Sequence, residues 1–384
     1  MKLDALLTED QISLRDMVHD FVAAEVVPNV KEYDEKGEVM MSAYHKAVEM
    51  GINCLDLPEE YGGPGISYLT GALVKEELGW ADAGFAATIG ANALGMKPLM
   101  FAGTEEQRRH FADIVTGGGF SAFALTEPNA GSDAGAMATT AKAVGNDYVL
   151  NGRKCFCTNA QYAEIFTIFA SVDRSQGVKG ITAFLVDRDT PGLSIGKHED
   201  KLGQRTSVTN DVVLEDVVIP AKNRIGEEGK GFALAMRTLD RGRAGAAATA
   251  VGLARAVLEQ SVVYAQQRKS MGKQIIDHQA IQFMLADMAT QIEASRQLAW
   301  YAARLIDAGH PSAGKVGAMA KCLATDTAVK AATDGIQIMG GYGYSREYPM
   351  EKLYRDAKIF QIFEGTNQIQ RMVIGGALKK EYKI

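Results

Sequence analysis

The sequence predicts an α+β protein in three parts: a helical N-terminal domain (residues 1–119), a central β domain (120–225) and a C-terminal helical bundle (226–384). Three observations carry this reading. Apolar residues recur at helical spacing from Thr8 to about Arg109. At Gly117-Gly118-Gly119 the texture changes to short apolar or alternating runs separated by turn residues, and after Pro220 an Ala-rich helical pattern takes over to the end.

In the first part, Thr8-Glu9-Asp10-Gln11 has the form of a capping box, and Ile12, Met17, Val18, Phe21, Val22 and Val26 make one stripe that ends near Pro28. Pro58 to Gly65 is a turn-rich break, after which Leu69, Leu73, Val74 and Leu78 resume the helical period. Gly84 to Ala102 is small and apolar, which suggests a closely packed helix or a wall beside a ligand. In the second part, strands are expected at Ser121–Leu125, Tyr148–Leu150, Ile165–Phe169, Ile181–Val186 and Val212–Ile219, with turns at Gly145-Asn146-Asp147 and Asn151-Gly152. In the third, apolar spacing runs from Leu253 to Leu305, Gly309-His310-Pro311 turns the chain, and a second helix covers Lys315 to Met339. Long helices with short joins pack as an antiparallel bundle. No repeat or interdomain linker interrupts this order, so one compact unit is expected.

Composition narrows the function. With 384 residues, 47% of them hydrophobic and 23% charged, the chain can bury a large core. A formal net charge of −6 without a Lys/Arg run argues against a nucleic-acid surface, because phosphate binding needs clustered positive charge. Neither a signal peptide nor a membrane-spanning stretch is read from the sequence, so a cytoplasmic protein is expected. Four scattered cysteines and six dispersed histidines suit a reducing compartment and offer no metal-ligand spacing.

Several segments carry possible chemistry. Glu364 follows two apolar residues and precedes Gly365, so a substrate backbone can approach a carboxylate in a partly dry setting, as a base for an acidic C–H bond requires. Read alone, it also fits a helix start capped by Thr366 and Asn367. Phe123 to Asp133 ends a strand in Thr126 and a Pro/Asn/Gly/Ser/Asp loop, which can hold a phosphate or ring edge or be a plain turn. Phe156 and Thr158, two apart on a strand, can cover a flat ring and bond its edge, or simply be half-buried. Asp240 and Arg243 sit at an expected helix start, where capping competes with a ligand role. Arg268-Lys269-Ser270-Met271-Gly272-Lys273 lacks the first glycine and the following Ser/Thr of a triphosphate loop, although Arg268 can pair with a pyrophosphate. No Gly-x-Gly-x-x-Gly follows a strand, so a Rossmann site is unsupported.

Taken together, and in this order along nearly the whole chain, these segments resemble the acyl-CoA dehydrogenase family, in particular its short-chain, butyryl-CoA type. The resemblance rests on Leu125-Thr126-Glu127-Pro128 with Gly131-Ser132-Asp133, Thr158-Asn159, Arg268 with Gly272-Lys273, His278-Gln279-Ala280, Gln337 with Gly340-Gly341, Arg355-Asp356-Ala357 and Glu364-Gly365-Thr366. It implies a central β-barrel-like domain between a helical domain and a four-helix bundle, a homotetramer, one FAD per subunit and an electron-transferring flavoprotein as partner. It implies flavin contacts at Phe123, Leu125, Thr126, Ser132, Phe156 and Thr158. Further FAD contacts are implied at Arg268, Gln279, Gln337, Gly340, Gly341, Thr366 and Gln368, several of them to a neighbouring subunit's cofactor. Ser132, Asp240, Arg243 and Gly365 are implied to meet acyl-CoA, and Glu364 to be the catalytic base. The Glu364 amide and a flavin ribityl hydroxyl are implied to hold the thioester oxygen.

The implied reaction is α,β-dehydrogenation of a short acyl-CoA to a trans-2-enoyl-CoA. Met271, Phe156 and Phe363 stand where the family often has Phe, Trp and Tyr, which leaves the polarity of the acyl pocket open. The competing expectations are an enoyl-CoA reductase or acyl-CoA oxidase on the same fold, and, from another class, a helical-bundle interaction protein without catalysis.

Overall fold

The computed structural model describes residues 4–383. Six helices come first: α1 (Glu9–Glu25), α2 (Val30–Lys36), α3 (Met41–Glu49), α4 (Tyr68–Ala81), α5 (Ala83–Ala102) and α6 (Glu105–Thr116). The Thr8 box is formed as expected: the Thr8 hydroxyl accepts from the Gln11 amide at 3.2 Å, and the Gln11 side chain accepts from the Thr8 amide at 3.1 Å.

Eight strands follow: β1 (Phe120–Ala124), β2 (Thr140–Val144), β3 (Asp147–Thr158), β4 (Ala163–Ser171), β5 (Ile181–Asp187), β6 (Leu193–His198), β7 (Thr209–Pro220) and β8 (Arg224–Ile225). They pair in the order β6-β7-β3-β2-β4-β5-β8, with β1 parallel to β4. At β4 and β5 the sheet is buried on both faces, which explains their continuous apolar runs. Phe166, Ile168, Phe184 and Val186 point into a core shared with α1, α3 and α5, while Ile165, Phe169, Ala183 and Leu185 point into another shared with α6 and the start of the next helix. β2 and β6 escaped the sequence reading because both are largely exposed and lack apolar alternation. Asn151-Gly152 is not a turn: it lies within β3 at an irregularity where Gly152 takes φ 152°.

The C-terminal part contains α7 (Gly231–Gln267), α8 (Gln279–Asp307), α9 (Ala313–Met339), α10 (Met350–Phe360) and α11 (Asn367–Glu381). A small hairpin separates α7 from α8, its turn made by Met271 and Gly272, both at positive φ. By length and composition α7 could cross a membrane, contrary to the sequence reading; here most of its apolar stretch is buried as the central helix of the bundle. Glycines let α4 and α7 cross at near backbone contact. A Cβ on Gly79 would lie 2.2 Å from the Thr249 carbonyl, and one on Gly252 would lie 2.0 Å from the Glu76 carbonyl. This crossing sets α4 and α7 against one another beside the candidate site.

Candidate active site

Glu364 lies between α10 and α11, two residues before the N-cap Thr366, whose hydroxyl accepts from the Ile369 amide at 3.2 Å. Asn367 is no cap; it is buried and bonds Thr325 and Asp326 of α9. Glu364 and Gly365 are consecutive left-handed residues, at φ 53° and 85°. That conformation costs a non-glycine residue roughly 1–2 kcal/mol and persists because its surroundings fix it. The Gln370 amide donates to both carbonyls, at 3.0 and 2.9 Å, and Lys321 Nζ donates to the Gly365 carbonyl at 2.8 Å.

The carboxyl group is turned inward. Glu364 Oε2 is buried without a hydrogen-bond partner, and a Cβ on Gly242 of α7 would sit 2.8 Å from it. Burial raises the Glu364 pKa above the ordinary carboxylate value, against the opposing pull of Lys97, Lys321, Lys75 and Arg243. Burial also lowers Lys321 to about 8, with Glu364 acting the other way. The backbone N–H of Glu364 has no hydrogen-bond partner among the described residues, leaving a donor next to the carboxylate.

Asp240 and Arg243 reach this site, though not from a helix start. They stand in the third and fourth turns of α7, which begins at Gly231, so capping cannot account for them. Arg243 is buried, and its Nη1 is ion-paired to Asp240 Oδ1 at 2.6 Å, while its Nε has no hydrogen-bond acceptor. A buried guanidinium with a free donor faces a polar ligand group more economically than it faces a dry wall.

The other expected residues form two further groups. At the end of β1, Leu125 is buried, Phe123 and Thr126 are half-buried and Ser132 is exposed. This loop abuts β3, because the Cys155 amide donates to the Thr126 carbonyl at 2.9 Å. There β3 is bulged between Lys154 and Cys157, so Phe156 is not a regular strand residue sharing a face with Thr158. The bulge turns it out at φ 55°, 62% exposed, with Thr158 half-buried beside it. Beneath the loop, Lys154 and Glu127 form a buried ion pair at 2.7 Å, and Glu127 also accepts from the Ala138 and Thr139 amides.

The second group is Arg268, Gly340 and Gly341, which line a groove of about 530 Å³ with Tyr264, Ser270 and Tyr342. Gly340 takes φ 60°, and a Cβ on either glycine would meet nothing within 4 Å, so the loop is an open cradle. Gln337 and Gln279 are exposed nearby in sequence, on the last turn of α9 and the first turn of α8, but do not line the groove. Thr366 and Gln368 begin α11, Gln368 facing solvent. Among the described residues no hydrogen bond or ion pair joins the β1–β3 group to the Arg268 groove or either of them to Glu364, whereas the Thr366 carbonyl accepts from the Gln370 backbone amide at 2.9 Å and so belongs to the Glu364 loop.

Gly242, Lys75, Lys97, Lys321 and Asp56 were missed by sequence reasoning. Lys97 did carry a signal, since it is the lone cation inside a small-residue helix that buries it, whereas Lys321 is one of three lysines in α9 and the only one of them that is buried.

Three family models match the chain in succession: acyl-CoA dehydrogenase N-terminal domain over residues 8–118, middle domain over 122–217 and C-terminal domain over 229–379. The chain belongs to the acyl-CoA dehydrogenase family. Members of this family are flavoproteins. The chain is 45% identical over 385 residues to a short-chain specific acyl-CoA dehydrogenase of Megasphaera elsdenii, covering 98% of this chain and 100% of that one. It is 41% identical over 377 residues to the CarC subunit of the caffeyl-CoA reductase-Etf complex of Acetobacterium woodii, covering 97% and 99%. Among solved structures, butyryl-CoA dehydrogenase from M. elsdenii superposes with a TM-score of 0.95 at 45% identity, over 98% of this chain and 100% of that chain. The acyl-CoA dehydrogenase architecture of helical, sheet and helical domains is therefore this chain's own.

Proposed function

We propose that this chain is an FAD-dependent acyl-CoA dehydrogenase that converts a short acyl-CoA to the trans-2-enoyl-CoA and passes its electrons to an electron-transferring flavoprotein. The observation that carries the reading is the Glu364 carboxylate: dry, unpartnered, raised in pKa and next to a free amide donor. Glu364 removes the α-proton. Its own N–H is placed to bond the thioester oxygen, stabilising enolate charge as it develops. Gly365 leaves room for the thioester, and Gln370 and Lys321 keep the base in its left-handed position. Asp240 and Arg243 of α7, with Ser132 of the β1 loop, meet the acyl-CoA.

The residues present fit FAD. Phe156, pushed outward by the bulge, offers a ring face, Thr158 an edge donor, and the Phe123–Ser132 loop its amides and hydroxyls. Arg268 and the open Gly340-Gly341 cradle suit a pyrophosphate, with Gln279, Gln337, Thr366 and Gln368 around them. When bound, FAD supplies the acceptor for the β-hydrogen. The separation of the two groups within one chain agrees with a homotetramer in which the second serves a neighbouring subunit's cofactor. The tripartite division at 119/120 and 225/226 follows the ends of α6 and β8, and a cytoplasmic setting suits an acyl-CoA substrate.

A second reading, enoyl-CoA reduction, is favoured by the similarity to CarC. Purified protein assayed with electron-transferring flavoprotein, and separately with oxygen, for acyl-CoA oxidation and enoyl-CoA reduction separates the two directions and the oxidase. A dehydrogenase oxidises acyl-CoA with the flavoprotein and is slow with oxygen.

A further inference from the structure

Glu364 is carried on residues 361–367, the connection between α10 and α11, and both ends of that connection reach one side chain of α9. Gln361, the C-cap of α10, donates from its side-chain amide to Asp326 Oδ1 at 2.7 Å. Asn367, the first residue of α11, donates from Nδ2 to the same oxygen, also at 2.7 Å. One carboxylate oxygen can accept both bonds, because it carries two lone pairs. The other oxygen, Oδ2, takes Arg371 Nη2 at 2.8 Å, and Arg371 Nη1 donates to the Asn367 carbonyl at 3.2 Å. The backbone spans the same gap, the Asn367 N–H donating to the Gln361 carbonyl at 3.0 Å.

Asp326 shares a face of α9 with Lys321 and Thr325. Lys321 Nζ bonds the Gly365 carbonyl, in the middle of the connection, and Asn367 Oδ1 at 2.9 Å. The helix therefore grips the connection at its middle through Lys321 and at both ends through Asp326. Stability alone does not account for the second grip. The Asp326 side chain is 39% exposed and that of Arg371 57%, and an ion pair so open to water contributes little. Water could bond each of these groups in turn, but it could not fix the distance between the two ends. With the ends fixed, the left-handed Glu364-Gly365 pair has no slack through which to relax.

We infer that Asp326 is a positioning residue for proton removal, which clips both ends of the 361–367 connection to α9 and so holds the Glu364 carboxyl group at the reacting carbon. The inference rests on the acyl-CoA dehydrogenase reading with Glu364 as base, and adds to it a residue that acts through the loop.

Anaerobic flavin bleaching of the flavin-loaded protein by butyryl-CoA, and by butyryl-CoA deuterated at the α-carbon, tests this. Asp326→Ala is expected to lower the limiting rate at saturation by about 10²-fold, the cost of a base displaced by about 1 Å, with half-saturation within about 3-fold of wild type. Because the loss falls on proton removal, the α-deuterium isotope effect on that rate should be at least as large as in wild type. A role in stability alone would lower the melting temperature and leave the limiting rate of the folded, flavin-bound protein unchanged. Asp326→Asn keeps an oxygen for both amides and turns its own NH₂ towards the exposed Arg371, so its rate is expected within about 5-fold of wild type. Gln361→Ala releases one end of the clip at a half-buried position and is expected to cost about 10-fold. A wild-type limiting rate in Asp326→Ala, or in Gln361→Ala should Asp326→Ala lose its flavin, overturns the inference. An Asp326→Asn as slow as Asp326→Ala also overturns it, since charge and not the clip would then be the cause. Either result leaves the dehydrogenase reading intact as long as the wild type bleaches. A wild type that no short acyl-CoA bleaches defeats that reading, and the inference with it.

Discussion

Glu364 combines strain, burial and a missing partner, and each makes a prediction. Its folded pKa is raised above the ordinary 4.5, so between 4.5 and that raised value the folded chain holds a proton that the unfolded chain has released. Stability therefore falls as pH rises through this window and stays lower above it. Glu364→Gln escapes the loss: it is expected to melt at a higher temperature than wild type at pH 7, the difference closing below pH 4.5. In the same variant bleaching should slow by at least about 10³-fold with flavin content unchanged, as expected for removal of a general base. Gly242→Ala offers a finer probe. Its methyl group would lie 2.8 Å from Glu364 Oε2, and a displaced base is expected to cost about 10²-fold in kcat. The helix itself gains up to about 1 kcal/mol from alanine, so unfolding should show no loss to match. Glu364 was legible in the sequence because Gly365 and the motif around it are local. Gly242 was not, since its importance comes from tertiary packing that places it beside a residue more than a hundred positions away.

At the scale of elements, the β3 bulge decides how Phe156 is presented. The sequence alternation put Phe156 and Thr158 on one side of a strand, but a bulge cannot be read from apolar spacing because it breaks the two-residue period that the reading assumes. Phe156→Ala should lower flavin occupancy or change the visible spectrum while costing little stability, since 62% of the residue is exposed. A cost of several kcal/mol in denaturant unfolding would instead make Phe156 a packing residue. The long helices were legible through their 3.6-residue period, and α1 also through its capping box. The start of α7 was not, because Gly231 to Asp240 follows a glycine-rich loop with no capping residue: Lys230 occupies the N-cap and makes no side-chain bond there.

At the scale of the molecule, one buried lysine ties the three parts together. Lys352 of α10 binds Asp82, the N-cap of α5, and Asp356, both at 2.5 Å. Thr206 and the Gln204 amide, from the segment between β6 and β7, bond the same two carboxylates. Lys352→Met strands two buried acids and is expected to destabilise the chain by about 3–5 kcal/mol in denaturant unfolding. The Asp82 and Asp356 charges raise the Lys352 pKa against its burial, so its contribution is complete below pH 10.5 and is lost as pH climbs through the raised value. Arg355-Asp356-Ala357 was visible as a motif, but the Gln204 amide that donates to Asp356 lies 152 positions away and the Asp34 that pairs with Arg355 lies 321 positions away, and only folding joins them. The central claim is that this whole arrangement serves proton removal by Glu364 from an acyl-CoA. It is tested most directly by adding short acyl-CoA thioesters anaerobically to the purified yellow protein and following the flavin band. The wild type should bleach and Glu364→Gln should keep its flavin and stay yellow on that timescale. A variant that bleaches at the wild-type rate would contradict the assignment.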